Sequence, residues 1–349
     1  MENKFEKYAR LTTPKKYDDT LESYQLVMDT ALELSRKTQE TLGNTRSEML
    51  NDALILFQMS MTKAIAIKSL AQGINYYNSL GDFSIANFVD PMSMASLVRS
   101  QYEAFANFHN IFNLQKDKDA QDFLYYTWAM AGLRERQRFP NQMSEEELKQ
   151  RPVSFQNLVK ENNEKAEHEQ KLIEEITAKI HANPLFSNLD EEKQKKLDKQ
   201  FEKRTFQFLV VDGVVKGTDW LDMFLNTGVN ELFKPLYSIM STSTHPSNVS
   251  VFQYAQMFEN NENQQRAQML LKMSEKIMSF FIADFCGYVP EAKVIFQSLP
   301  EMERVLVESS NQHMRNGVLP LSDTLQNFSR EIEEYVQKTY NGDYTRAFK

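Results

Sequence analysis

Two short stretches carry residue types that could do acid–base chemistry at helical spacing. In Arg99-Ser-Gln-Tyr-Glu103, the guanidinium and carboxylate stand four positions apart and share one helix face. In Tyr237-Ser-Ile-Met-Ser-Thr-Ser-Thr-His-Pro-Ser247, the residues Ser238, Ser241 and His245 fall along one face of a second helix. Arginine stabilises developing negative charge, and histidine moves protons near neutral pH. The combination would suit metal-independent cleavage of a phosphodiester, with His245 as acid/base and Arg99 opposite the charge. Each stretch also has a plainer account. An exposed Arg–Glu pair at this spacing is worth about 0.3 kcal/mol. A histidine at a helix end caps carbonyls, and Ser247 caps the helix that follows. A Ser–His pair without a placed acid or oxyanion donors is a weak hydrolase signal. One geometric expectation separates the two accounts. Arg99, Glu103, Ser241 and His245 should converge to within about 10 Å, the reach of hydrogen bonds and a bridging water. Small Ala95 and Ala106 would let the second helix approach, and Glu103 would then raise the imidazole pKa.

The elements that must hold these residues read as helices. The spacing Leu21, Tyr24, Val27, Met28, Ala31, Leu34 predicts a helix over 21–42, punctuated by Gly43-Asn44. A longer one is predicted over 46–80, apolar enough all round to be central and covered on most sides. Asp90-Pro91 is a helix start, an N-cap followed by proline in the first turn, and the helix runs to about Asn113. Further helices are predicted over 117–139, 229–244, 247–259, 262–285, 301–314 and 323–340. Ser144 and Glu147 have capping-box spacing. Only 206–215 looks β-like, with Asp212-Gly213 between apolar runs, and the same stretch could equally be a helix stopped by Gly213. The expectation is an all-α multi-helix globule of nine to twelve helices, with at most one short β-hairpin near 206–215. Residues 1–20 are expected as a loose arm or a frayed helix, and 21–349 as a single helical domain. The charged stretch 145–204 is expected as an exposed helical insertion.

Composition removes several classes of function. The 349 residues include 10 glycines and 10 prolines, where average usage would give about 24 and about 17. No GxGxxG, Walker loop, HExxH or GxSxG occurs. No glutamate stands three residues before a histidine, so the di-iron signature of helical bundles is missing too. No cofactor and no metal site is expected. Cys286 is the single cysteine; it excludes an internal disulfide and reads as a packing residue. With 40 basic and 48 acidic residues, the net charge of −8 does not support nucleic-acid binding, though it leaves a local basic patch open. Ala53–Ala71, interrupted by Lys63 and Lys68, and Met278–Val289, holding Asp284, are the longest apolar stretches. Neither is expected to span about 30 Å of hydrocarbon. The chain is therefore expected to be soluble and cytoplasmic.

The Arg-x3-Glu pair on an aromatic-rich helix is followed by Trp220, an Asn-Glu-Leu-Phe run and Tyr-x3-Ser-x3-His-Pro-Ser. This combination resembles a family of bacterial helical proteins of unknown function. The resemblance covers about Leu50 to Val251. It implies that Arg99, Glu103, Tyr237, Ser241 and His245 mark a shared polar site, and it implies no reaction. A more distant analogy is to the HEPN group of RNA-cutting domains, which place histidine four to six residues after arginine. This chain departs from that pattern, because Arg99 to His109 spans ten positions and Arg304 to His313 nine. The expected function is a non-catalytic interaction or scaffold module with a polar Arg/Glu/Ser/His centre, supported by Tyr237, Ser238 and Ser247. The alternative is a metal-independent RNase or phosphodiesterase of toxin or defence type. Partners are not legible, and homo-oligomerisation stays open.

Overall fold

The computed structural model describes residues 2–44, 46–81, 83–138, 143–229, 234–244, 247–315 and 323–347. Helices α1 (Lys4–Thr12), α2 (Tyr17–Leu42) and α3 (Glu48–Gln72) lead into a hairpin of β1 (Ile74–Tyr77) and β2 (Ser84–Phe88). Helix α4 (Pro91–Phe108) continues as a π-helical turn, His109–Asn113. Then come α5 (Lys118–Arg136), α6 (Glu145–Lys149), α7 (Val153–Ala182), α8 (Pro184–Ser187) and α9 (Glu191–Glu202). A second hairpin joins β3 (Phe208–Val211) and β4 (Val214–Gly217). It is followed by α10 (Trp220–Leu225), α11 (Lys234–Thr244), α12 (Asn248–Glu259) and α13 (Asn263–Tyr288). The remaining helices are α14 (Pro290–Gln297), α15 (Glu301–Met314), α16 (Asp323–Tyr340) and α17 (Tyr344–Ala347).

The all-α class holds, but two counts need correction. Seventeen helices stand among the described residues, more than the nine to twelve expected. The excess comes from pieces such as α6, α8 and α17, which are four or five residues long and too short to show a helical period. There are also two hairpins instead of one. The second matches the Asp-Gly signal, with Asp212 and Gly213 both at positive φ as a two-residue turn requires. The first was unforeseen, because the helix predicted over 46–80 stops at Gln72. Gly73 ends it at φ +98°, where a Cβ would lie 2.9 Å from the Asn87 Cα. Gly73→Ala should therefore destabilise the fold by about 1–3 kcal/mol through backbone strain and this close approach. Gly81→Ala, at φ +77° but with nothing within 4 Å, shares the backbone strain without the close approach and should cost less. Urea midpoints of the two variants check the difference.

The chain divides into two compact units, Met1–His109 with Trp220–Lys349, and Asn110–Asp219. In the first, α13 is the core helix and packs against α2, α3, α4, α14 and α15. Its buried run from Met273 to Cys286 meets an aromatic cluster. Phe281 lies 5.2 Å from Phe57, 5.8 Å from Phe105 and 4.7 Å from Phe108, centroid to centroid. A polar thread crosses the same core. The Tyr24 hydroxyl lies 2.9 Å from the Ala64 carbonyl and 2.8 Å from Ser274 Oγ, which in turn donates to Gln101 at 2.6 Å. Each helix on this thread is thereby fixed in rotation as well as position.

Helix α3 is less covered than expected. Ile55, Met59 and Ile65 face solvent on one side, while residues such as Leu54, Phe57, Met61 and Ile67 are buried on the other. By length and composition alone it could cross a membrane despite Lys63 and Lys68, with a mean hydropathy of 1.3 over 18 residues. It packs against α2, α4 and α13 as a core helix does. Residues 1–20, expected as a loose arm or a frayed helix, hold α1 and the start of α2. Asn3 and Glu6 form a capping box on α1, and Phe5 and Tyr8 pack on a cluster of Val305, Leu325 and Phe328.

In the second unit α5 and α7 pack together. Phe123, Phe186, Phe201 and Phe208 form its aromatic core, and Asn110 donates to the Phe208 carbonyl at 2.8 Å. The charged stretch 145–204 lies wholly within this unit. Its apolar seam is narrow: four of the thirty residues of α7 are buried.

Candidate functional site

Helix α4 starts where the sequence places it. Asp90 accepts hydrogen bonds from the amides of Met92 and Ser93, and Pro91 occupies the first turn. This sets the rotation of α4, burying Met94, Val98, Tyr102 and Phe105 and leaving Arg99 and Glu103 at its edge. Arg99 Nε donates to Glu103 Oε1 at 3.0 Å, with the two side chains 20% and 25% exposed. The pair is neither fully solvated nor buried.

Helix α11 brings Tyr237 onto it. The Tyr237 hydroxyl donates to Glu103 at 3.3 Å and accepts from Arg99 Nη2 at 3.4 Å, while the guanidinium sits 5.2 Å from the ring centroid. The two motifs thus meet through Tyr237. Burial and Glu103 push the phenol above its ordinary pKa, against Arg99. Burial lowers the Arg99 pKa, but Glu103 and Tyr237 outweigh it and hold the guanidinium above its ordinary value. The group is a closed, charge-assisted triangle.

The other candidates fall differently. Ser241 donates to the Tyr237 carbonyl at 2.9 Å, which commits its proton within its own helix. Ser238 is exposed. Ser247 caps α12 by accepting from the Ser250 amide. His245, Pro246 and the Asn230–Phe233 run lie outside the described residues, and so does the distance from His245 to Arg99. Ala95 and Ala106 are buried, and α4 and α11 do pack together. Beside the triangle, Tyr102 is fully buried and its ring lies 5.3 Å from that of Tyr237. Its hydroxyl has no hydrogen-bond partner among the described residues.

A second polar cluster escaped sequence reasoning altogether. His109 at the end of α4, Asp284 on α13 and Arg315 after α15 meet inside the first unit, each no more than 3% exposed. His109 Nδ1 lies 2.6 Å from Asp284 Oδ2, and Arg315 Nη1 donates to Asp284 Oδ1 at 2.7 Å. Arg315 Nε donates to the Thr227 carbonyl at 2.8 Å, and its guanidinium lies 5.4 Å from Phe105 and 5.7 Å from Phe280. Burial raises the Asp284 pKa, but Arg315 and His109 outweigh it and hold the carboxyl below its ordinary value. A carboxylate that orients an imidazole is a catalytic arrangement elsewhere. Here the cluster is closed off from solvent, and its geometry joins α4, α13, α15 and the turn at Thr227. One signal could have found it. Asp284 is the lone charge in Met278–Val289, and a carboxylate in such a run must find a cation when buried. Nothing in the sequence pointed to His109 or Arg315 as its partners.

Among the described residues no group of histidine, cysteine, aspartate or glutamate could hold a metal ion. Cys286 is buried, and burial pushes its thiol pKa well up. A disulfide-exchange reagent should leave it unmodified in the folded protein and label one thiol per chain in denaturant. Rapid labelling of the folded protein would contradict this burial.

The fold and these clusters define a helical protein whose two polar motifs join through one interhelical contact. The chain belongs to the family described as "Family of unknown function (DUF5677)", whose model matches residues 63–264. That segment takes in the first hairpin, α4, the whole second unit, α11 and α12. No curated protein and no solved structure matches the chain.

Proposed function

We propose that the chain is an interaction module that works by pairing with a second copy of itself. One observation carries this reading. The hairpin β1–β2 and helix α12 present an exposed, nearly uncharged apolar face. Tyr77 is 72% and Leu80 83% exposed, and on α12 Val251 and Phe252 are 63% and 61% exposed. Phe88 stacks on Phe258 at 5.3 Å, which makes the two elements neighbours. Between Ile74 and Phe88 the only charged residue is Asp82, and Ser247–Phe258 holds none. A patch of this kind on a monomer normally marks an interaction site. The occupant follows from the strands. A two-stranded sheet is marginal on its own in water and offers free edges for pairing. A second copy supplies the same edge and the same apolar side chains across a two-fold axis.

Sedimentation velocity over a micromolar concentration series tests this. The wild type should form a dimer, and Tyr77→Lys with Phe252→Lys should give a monomer of unchanged helical circular dichroism. A wild-type monomer at every concentration overturns the reading. The lone buried Cys286 is in keeping with a reducing, cytoplasmic setting.

The metal-independent RNase or phosphodiesterase reading keeps one supporting observation. Arg99 on α4 meets Tyr237 on α11, eight residues before His245 in the sequence. Incubation with single-stranded, hairpin and transfer RNA tests it. Cleavage by the wild type that is lost in both His245→Ala and Arg99→Ala supports it, and no cleavage of any substrate ends it.

A further inference from the structure

A cleft of about 860 Å³ opens within the first unit, walled by α4, α11, α12 and α13. Its volume is that of a small-molecule site. Five methionines line it: Met92, Met257, Met269, Met273 and Met314. Methionine is unbranched and polarizable, and it adapts to flexible apolar ligands. Leu236 and Ile239, on either side of Tyr237, extend the apolar wall.

The charges are one-sided. Arg266, Lys272 and Lys276 line the cleft, and no aspartate or glutamate is among its described lining residues. This stands out in a chain of net charge −8. Two of the cations are already paired: Arg266 with Glu262 at 2.9 Å and Lys276 with Glu275 at 2.9 Å. Lys272 donates to the Pro14 carbonyl at 3.1 Å, and no carboxylate lies in ion-pair range of it among the described residues. The cleft therefore offers an adaptable apolar interior and one uncompensated ammonium.

We propose that this cleft binds an unbranched aliphatic chain ending in a single carboxylate, with the head group on Lys272 and the chain among the methionines. The lining argues against other small-molecule classes. No aromatic side chain is among the cleft's described lining residues, so a nucleobase would find no stacking platform there. One unpaired cation suits one negative charge better than a polyphosphate.

Equilibrium dialysis of the full chain against tritiated palmitate, with tritiated hexadecanol as the uncharged probe, tests the proposal. Palmitate should bind saturably at one site per chain, at least tenfold more tightly than hexadecanol. Lys272→Glu should weaken palmitate at least tenfold and leave hexadecanol unchanged, because only the acid meets the ammonium. Lys272→Arg should retain palmitate. Met269→Trp, at a partly exposed position, should weaken both probes by filling the cleft. Circular dichroism confirms that each variant is folded. Three results would overturn the assignment: no saturable palmitate binding, equal palmitate affinity in wild type and Lys272→Glu, or equal loss of both probes in Lys272→Glu.

Discussion

Asp284→Ala is expected to lower the unfolding free energy by about 3–5 kcal/mol, a large share of the 5–15 kcal/mol that ordinary domains possess. The change leaves Arg315, fully buried beside Phe105 and Phe280, without its carboxylate. An uncompensated buried guanidinium costs far more than a lost surface pair. Urea unfolding followed by circular dichroism measures the effect. A triple variant, His109→Phe, Asp284→Leu and Arg315→Met, removes all three polar groups together and should regain most of the loss. If the triple variant is no more stable than Asp284→Ala, packing damage rather than orphaned charge explains the destabilisation.

The same carboxylate gives a pH dependence of definite sign. Burial opposes the ionised form of Asp284, but Arg315 and His109 outweigh it, so the folded pKa lies below the unfolded one. A group lowered on folding stabilises the protein above its unfolded pKa, about 3.9 for aspartate. That stabilisation is lost as pH falls through the folded pKa. The stability gap between wild type and Asp284→Asn should therefore stay flat from neutral pH to about 4 and narrow below it. A gap that widens below pH 4 would contradict the sign.

Phe281→Ala is expected to cost about 3–5 kcal/mol for a different reason. Phe281 is fully buried on α13 and touches rings from α3 and α4 at once. Truncation removes its transfer energy and leaves a cavity that three helices border, and these can close on it only in part. Phe281→Leu should cost distinctly less, since most of the volume remains. The midpoint of thermal unfolding orders the two variants. Equal midpoints would mean that the site collapses freely around either side chain.

Much of the helical scaffold was legible because its signals are local. Asp90 with Pro91, Ser144 with Glu147, and Ser247 before α12 all act as caps in the structure. A cap needs only the residues within one turn of it. The Asp212-Gly213 turn was readable for the same reason. The hairpin at 74–88 was not, since Gly73 looked like one more residue in an apolar helical run. What stops α3 there is a positive φ and the approach of Asn87 from the returning strand, a tertiary contact.

The polar clusters divide along the same line. Arg99 and Glu103 could be paired from spacing alone, and their burial to about one-fifth and one-quarter exposure depends on where α11 lies. Tyr237 joins them from 138 positions away. His109, Asp284 and Arg315 come from three segments, with 175 positions between His109 and Asp284 and 31 between Asp284 and Arg315. Local sequence determined that α4 and α13 would be helices with apolar faces, because helical period and capping are set within a few residues. Which charged groups those faces enclose was decided by packing. Coulomb attraction in a low-dielectric interior acts on whatever the helices bring within about 3 Å, irrespective of sequence separation.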